Sequence, residues 1–340
     1  MNTYARRPSS KDIARLAGVS QATVSRVMSG HPHVREETRE RVLAVMRAAN
    51  YQPNAMARAM KTQLSGTVGV VVSRITNPVV PEILQGLGVQ LSRLGRHVIV
   101  WNTDSDGEDG VVSAIRQSVV EGLVFTAARA GSAALTAALE HRVSTVLLNR
   151  TVVDAACDQV SADNHGGAER LARYLVGAGR RRVALVNGPL DRSTLREREA
   201  GLRAGLAVTG LGIAREHYVS APFVHEVFRD SAMRMMALPE PPDVICCGND
   251  VIAMGVLCGL RASGRRVPED VWVTGFDGIE MAGWDLFDLT TVRQPMDRMV
   301  ALAVERLVAR QAAPERAPEL TRFETELVVR GTTAHTPATH

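Results

Sequence analysis

The sequence predicts an α/β protein in two parts. A three-helix head built on a helix-turn-helix comes first, with a short hinge helix behind it, and a larger two-lobed core of doubly wound parallel sheets follows. Three observations carry this. Residues 9–28 read as two short capped helices separated by a glycine, and from Thr67 onward apolar β-runs alternate with amphipathic helical stretches. Charge divides along the same line: residues 1–62 hold 11 Lys and Arg against 4 Asp and Glu, a net of +7, while residues 63–340 sum to −3. A basic head on a mildly acidic body is the asymmetry expected when only one module meets phosphate.

In order along the chain, Ser9 heads the first helix. Its hydroxyl is placed to accept from the backbone N–H near Asp12, whose carboxylate suits the positive end of a helix. Gly18 supplies the positive φ of a tight helix exit, and Ser20 opens a second helix over Gln21–Met28. Ile13, Ala17, Val19, Val24 and Val27 fall where two crossed helices share a small core, with Ala14 small at the crossing. The outer face of the second helix offers Gln21, Thr23, Ser25 and Arg26, side chains of the kind that reach base edges. Val34 to Tyr51 reads as a third helix, ended before Pro53 because a residue preceding proline is pushed out of the α region. Asn54 to Met60 reads as a hinge helix too short to persist alone in water.

The core shows β-runs at Val68–Val72, His97–Trp101, Leu123–Thr126, Val143–Leu148, Val183–Val186, Val244–Cys247 and Val271–Gly275. Helical stretches at Val80–Leu94, Ala133–Glu140, Ala168–Ala178, Ala200–Thr209 and Ile252–Ser263 separate most of them. Near-continuous Val/Ile/Leu strands with helices between them indicate parallel sheets covered on both faces. The pattern restarts near Ala162-Asp163, and Thr290–Pro295 reads as a return crossing into a last helix, Met296–Ala309. The expected division is a head over 1–53, a hinge over 54–66, a first lobe over 67–161 and 293–319, a second lobe over 162–292 and 320–331, and a disordered tail over 332–340.

Composition excludes several classes. No run approaches the roughly 18 apolar residues of a membrane span, and the N-terminus lacks the pattern of a signal peptide, so no membrane partner and a cytoplasmic location are expected. Cys157, Cys246, Cys247 and Cys258 show no metal-type spacing and read as buried free thiols of a reducing compartment. The nine histidines are scattered, and the acidic stretch Asp104–Asp109 has the wrong spacing for a calcium loop and reads as solvated. No phosphate loop, dinucleotide fingerprint or nucleophile elbow occurs. We therefore expect no catalytic residues, no metal and no cofactor.

With these pieces assembled, the chain resembles the LacI family of transcription regulators from Ser9 to Thr332. The resemblance rests on Asp12-Ile13-Ala14, Gly18-Val19-Ser20-Gln21-Ala22-Thr23-Val24-Ser25-Arg26-Val27 and Tyr51-Gln52-Pro53-Asn54 in the head. In the core it rests on Ile75-Thr76-Asn77-Pro78, Arg198-Glu199-Ala200-Gly201, Gly248-Asn249-Asp250 and Val273-Thr274-Gly275-Phe276-Asp277. It implies a DNA-binding head, a helical hinge, and a core similar to periplasmic sugar-binding proteins with a ligand cleft between its lobes. Gln21, Ala22 and Arg26 match the positions that read the operator half-site. Ser20, Thr23, Ser25, Ser29, His33 and Asn54 match positions that touch phosphate or support the fold, and for Ser20 a pure helix cap and a phosphate contact both stand. Ala57 and Met60 match hinge positions that enter the minor groove, Met60 replacing a leucine wedge. Arg35 stands where many relatives place a helix-capping serine.

In the cleft, the resemblance makes Arg198 the anchor for ligand hydroxyls or a carboxylate, with Asn249 and Asp277 as its neighbours. Phe223 matches a ring-stacking aromatic, and Arg192 and Thr194 match a phosphate-free anion or polar contact in purine-responsive relatives. Ser73, Thr126 and Asn149 fall at strand ends of the first lobe, where open α/β sheets bind ligands; Asn149 replaces an acid common there. The plainer reading of each is a structural hydrogen bond, and Asp250 reads as a helix cap. The expected protein is a repressor bound as a homodimer to a pseudo-palindromic double-stranded operator, its affinity set by a small polar effector such as a sugar or sugar acid. The alternative is a small-molecule-binding protein or α/β enzyme whose N-terminal helices do not read DNA. Relatives that tetramerise carry a C-terminal leucine heptad, and the sequence shows none.

Overall fold

A computed structural model describes residues 8–28, 30–51 and 66–333. The chain separates into two compact units, one through Ser65 and one from Gly66. The expected hinge helix, with Asn54, Ala57 and Met60, and also Ser29, lies outside the described residues.

The first unit contains α1 (Ser10–Ala17), α2 (Gln21–Met28) and α3 (Glu36–Ala48). Ser9 and Asp12 form a complete capping box, each side chain taking the other's backbone N–H, so two otherwise orphaned donors are satisfied. Gly18 ends α1 at φ 66°, in the left-handed region where a side chain would be strained. Ile13, Ala14, Ala17, Val24, Val27 and Val42 form the core, with Val19 only half-buried at its edge. The third helix is shorter than expected at both ends. Arg35 offers no side-chain cap, and at the far end Asn50 turns to φ 45°.

The second unit begins with β1 (Thr67–Val72), α4 (Val79–Arg93), β2 (His97–Asn102), α5 (Thr103–Asp106), α6 (Asp109–Arg116), β3 (Gly122–Phe125), α7 (Ala133–Glu140), β4 (Ser144–Leu148) and β5 (Asp158–Ala162). It continues with α8 (Asn164–Gly177), β6 (Val183–Asn187), α9 (Ser193–Ala207), β7 (Tyr218–Ser220), α10 (His225–Met236), β8 (Val244–Cys247), α11 (Asp250–Ala262), β9 (Trp272–Asp277) and β10 (Thr290–Arg293). The last elements are α12 (Met296–Ala312), β11 (Leu320–Phe323) and β12 (Glu326–Val328). Two six-stranded sheets result, ordered β11-β5-β4-β3-β1-β2 and β12-β10-β9-β8-β6-β7. Every pairing is parallel except β10 with β12. Strand order reverses at β3/β1 in one sheet and at β8/β6 in the other, the switch points where α/β sheets open a crevice.

Several expectations are corrected. β11 pairs with β5 in the first sheet, so the chain returns to the second lobe after Phe323 and not at residue 320. Thr290–Arg293 is a strand of the second sheet rather than a bare crossing. β5 escaped detection because Asp158, Gln159 and Ser161 interrupt its apolar run. They are buried but satisfied: Asp158 pairs with Arg310 at 2.8 Å, Gln159 bonds the backbone of Val152, and Ser161 donates to Asn149 O. The acidic stretch expected to be a solvated loop is partly helical, Asn102 capping α5. Thr332 and Thr333 do not belong to a disordered tail, since both are buried and bonded to Thr290. Three cysteines are buried free thiols, whereas Cys258 is exposed. No described helix is long and apolar enough to cross a membrane.

Candidate nucleic-acid face and effector cleft

On the head, α2 divides its residues by side. Val24 and Val27 are buried against α1 and α3, while Gln21, Ala22 and Arg26 are exposed and Thr23 and Ser25 partly so. Ser20 is engaged as a cap: its hydroxyl accepts the Thr23 N–H at 3.1 Å and lies 2.9 Å from the Thr23 hydroxyl. Gln21 donates to Ser10 Oγ at 2.8 Å, which pins its amide across α1. His33 is exposed beyond α2 beside His31, whose carbonyl is held by Arg39. The surface left is a helix face of short polar side chains with one arginine, of a size that a major groove admits.

In the second unit the carboxyl ends of both sheets converge on one polar cavity open to solvent. Ser73 follows β1, Thr126 follows β3 and Asn149 follows β4; from the other lobe come Arg192 and Thr194 at the start of α9, then Arg198, Phe223, Asn249 and Asp277. All nine residues expected in the cleft therefore line the same space. Arg74, Asn77 and Arg150 line it too and were not anticipated. The signal was available: Arg74 and Arg150 each directly follow a residue placed at a strand end.

Arg198 is the most constrained of these. Its Nε donates to Asn164 Oδ1 at 2.8 Å, Nη1 to Gly248 O at 2.9 Å, and Nη2 to Asp277 Oδ1 at 2.8 Å. The guanidinium also lies 3.9 Å over the Phe276 ring. Asp277 Oδ1 accepts a second bond from Gln294 Nε2, and burial holds this carboxyl above its usual pKa against the opposing pull of Arg198. Asn249 is the helix cap, its Oδ1 accepting from Ile252 N at 3.0 Å, which corrects the assignment of that role to Asp250. Asp250 is instead buried beneath the loop after β9, accepting the N–H groups of Gly278 and Ile279 and the Thr291 hydroxyl.

The remaining lining residues include strained and unsatisfied groups. Arg74, Asn149 and Asp277 have φ of 51°, 76° and 120°, a region uncommon for residues other than glycine. Asn149 Oδ1 and Arg192 Nε are buried with no hydrogen-bond partner. Thr126 donates to Val71 O, and Ser73 receives Arg150. Phe223 is contacted by two guanidinia, those of Arg74 and Arg192, each 4.8 Å from its ring centroid. Bonds cross between the lobes from Arg74 to Phe223 O, from Thr151 N to Ser193 Oγ, and from Glu280 N to Glu82 Oε1. Among the described residues no cluster of His, Cys, Asp and Glu is arranged to hold a metal.

A helix-turn-helix unit joined to a two-lobed α/β core with a polar cleft defines a ligand-responsive DNA-binding regulator. Comparison with known proteins agrees. Residues 10–54 match the lacI family of bacterial regulatory proteins, and residues 172–333 match a periplasmic binding protein-like domain. The chain is 30% identical over 324 residues to the ribose operon repressor of Escherichia coli strain K12, covering 94% of this chain and 98% of that protein. The lac repressor dimer bound to operator and the anti-inducer ONPF is similar with a TM-score of 0.85 and 25% identity, covering 97% of this chain and all of that one (100%). A complex of the transcriptional regulator CelR with cellobiose has a TM-score of 0.73 and 28% identity, covering 96% and 100%. The chain belongs to the LacI family: it is a DNA-binding transcriptional repressor under small-molecule control, not an enzyme.

Proposed function

We propose that the cleft between the lobes binds a small polar metabolite of the sugar or sugar-acid kind, and that its occupancy sets the grip of a cytoplasmic homodimer on a pseudo-palindromic operator. The observation that carries this is the convergence of the carboxyl ends of β1, β3, β4, β8 and β9 on one cavity floored by the Arg198–Asp277 pair. Directional donors and acceptors on both lobes suit a polyol, whose hydroxyls both give and accept hydrogen bonds. A ligand that touches both lobes favours one degree of closure, and operator affinity changes by its differential affinity for the two states.

On the DNA side, Arg26 forms a bidentate pair with guanine, Gln21 and Ala22 read neighbouring bases, and Ser20, Thr23, Ser25, Ser29, His33 and Asn54 touch phosphates or support the fold, Ser20 as the cap of α2. Ala57 and Met60 enter the minor groove of the operator, Met60 as the apolar wedge. Pairing is supported by apolar surface on the first lobe. β2 is a sheet edge, and Ile99 and Val100 on it and Val89 on α4 are exposed. The test is a gel shift against a selected duplex with and without candidate sugars. Salt-sensitive, sequence-specific binding that a metabolite alters, and that Arg198→Ala makes unresponsive, is the expected result. Equal affinity for scrambled DNA in every ligand state would overturn the reading.

A further inference from the structure

We propose that the effector is an anion: a small hydroxylated molecule whose phosphate or carboxylate is held by Arg74, Arg150 and Arg192 while its hydroxyls meet Asn149 and the Arg198–Asp277 pair. The proposal rests on the reading of this cavity as the effector site and specifies what it accepts.

The charge inventory drives it. Four arginines line the cavity against a single carboxylate, Asp277, and that carboxylate is committed to Arg198. Arg150 bonds only neutral acceptors, at long range: Ala127 O at 3.3 Å and Ser73 Oγ at 3.4 Å. Arg192 has its Nε buried without a partner, and its guanidinium rests on the Phe223 ring, which Arg74 also contacts. Burial, and after it the neighbouring charge of Arg192, pulls Arg150 down to about 10. Burial likewise lowers Arg192, with Arg74 and Arg129 adding to the effect. The nearby counter-charges Asp104 and Asp191 are solvent-exposed and offset this only in part.

Three guanidinia lining one cavity, with no buried counter-ion for them among the described residues, are costly in a ligand-free cleft and become favourable once an anion accepts from them. Asn149 sharpens the inference. The resemblance leads to an acid at that position, and an acid there would have neutralised part of the excess. The Asn149 Oδ1 instead waits for a donor, which a hydroxyl supplies and a bare phosphate does not.

The test titrates the full chain with two matched series: ribose, ribose 5-phosphate and ribonate; glucose, glucose 6-phosphate and gluconate. An anionic member should bind about ten-fold or more tightly than its neutral parent, the scale of one or two charge-assisted hydrogen bonds. Whichever of phosphate ester and carboxylate wins identifies the source of the charge. The double variant Arg150→Gln/Arg192→Gln should lose that preference. Inorganic phosphate replacing chloride at equal ionic strength should raise the melting temperature of the unmodified chain more than that of the double variant. Neutral sugars binding as tightly as their anions, equal phosphate effects in both proteins, or no binding by any member would overturn the proposal. A neutral sugar that alters operator affinity would leave the effector cleft standing and sink its anionic character. An anion that binds while operator affinity stays unchanged would do the reverse.

Discussion

Arg198 and Asp277 meet at 2.8 Å with both side chains buried, one from the middle of α9 and the other from the last residue of β9. The pair stays in register because Asn164, Gly248 and Gln294 occupy most of its other hydrogen-bonding positions. Removing one partner leaves a desolvated charge, so Asp277→Ala should destabilise the core by about 3–5 kcal/mol. Asp277→Asn keeps an acceptor and should cost less. Thermal denaturation of the two variants separates them; equal losses would mean that the retained acceptor contributes nothing and that the lost charge accounts for the whole effect.

Gly201 lies one turn beyond Arg198 on α9, where that helix crosses α8. A Cβ there would collide with the carbonyl oxygen of His165, and at Gly205 it would approach the Ala172 Cβ to 2.6 Å. Gly201→Ala should force the helices apart at a cost of about 1–3 kcal/mol, carrying Arg198 away from Asp277. Reduced effector affinity together with a lower melting temperature is expected. Unchanged titrations would show that the crossing does not position the arginine.

Asp250 makes stability depend on pH. Burial, then the charge of Asp277, raise its pKa to about 7, against the lowering effect of hydrogen bonds from Thr291, Ile279 and Gly278. Its folded value therefore exceeds the unfolded one, and its contribution is fully present below the ordinary carboxylate range. That contribution is lost as pH rises from there through about 7. Asp250→Asn should flatten this part of the stability profile, as read from chemical denaturation at several pH values. An unaltered slope would show that the carboxylate stays ionised throughout.

Ser9→Ala should remove half of the capping box and destabilise the head by about 1 kcal/mol. The second unit should be untouched. Hydrogen exchange of residues 10–17 measures the effect, and protection equal to the parent chain would count against the cap.

Arg26→Ala tests base reading. It should relax one position of the operator by about 1–3 kcal/mol and leave effector affinity alone. Binding selections from a randomised half-site report it directly, and an identical selected site would remove Arg26 from the readout.

The head was legible almost residue by residue because its determinants are local. Ser9 and Asp12 are three residues apart, Gly18 marks its own turn, and the apolar spacing of α1 and α2 defines one core. The strongly apolar strands were legible for the same reason. The start of α9 was not, because Ser193–Arg198 presents mostly polar residues that become buried only against the other lobe and α8. β11 was invisible because it is half-exposed, and only pairing with β5 makes it a strand.

In the cleft, motif resemblance placed nine residues in one cavity, yet it gave no sign of how they share their bonds. Asn249 and Asp250 are adjacent, and nothing local decides which of them caps the helix and which is buried beneath Gly278. Arg74 and Arg150 are 76 positions apart in sequence, each an ordinary arginine after a strand. By itself the amino-acid order determined the kind of protein, since helix caps, apolar period and charge asymmetry act over a few residues at a time. Only the tertiary structure decided the electrostatics of the cleft. Charge balance there is a sum over side chains from distant segments, and it acquires meaning only when folding removes the water between them.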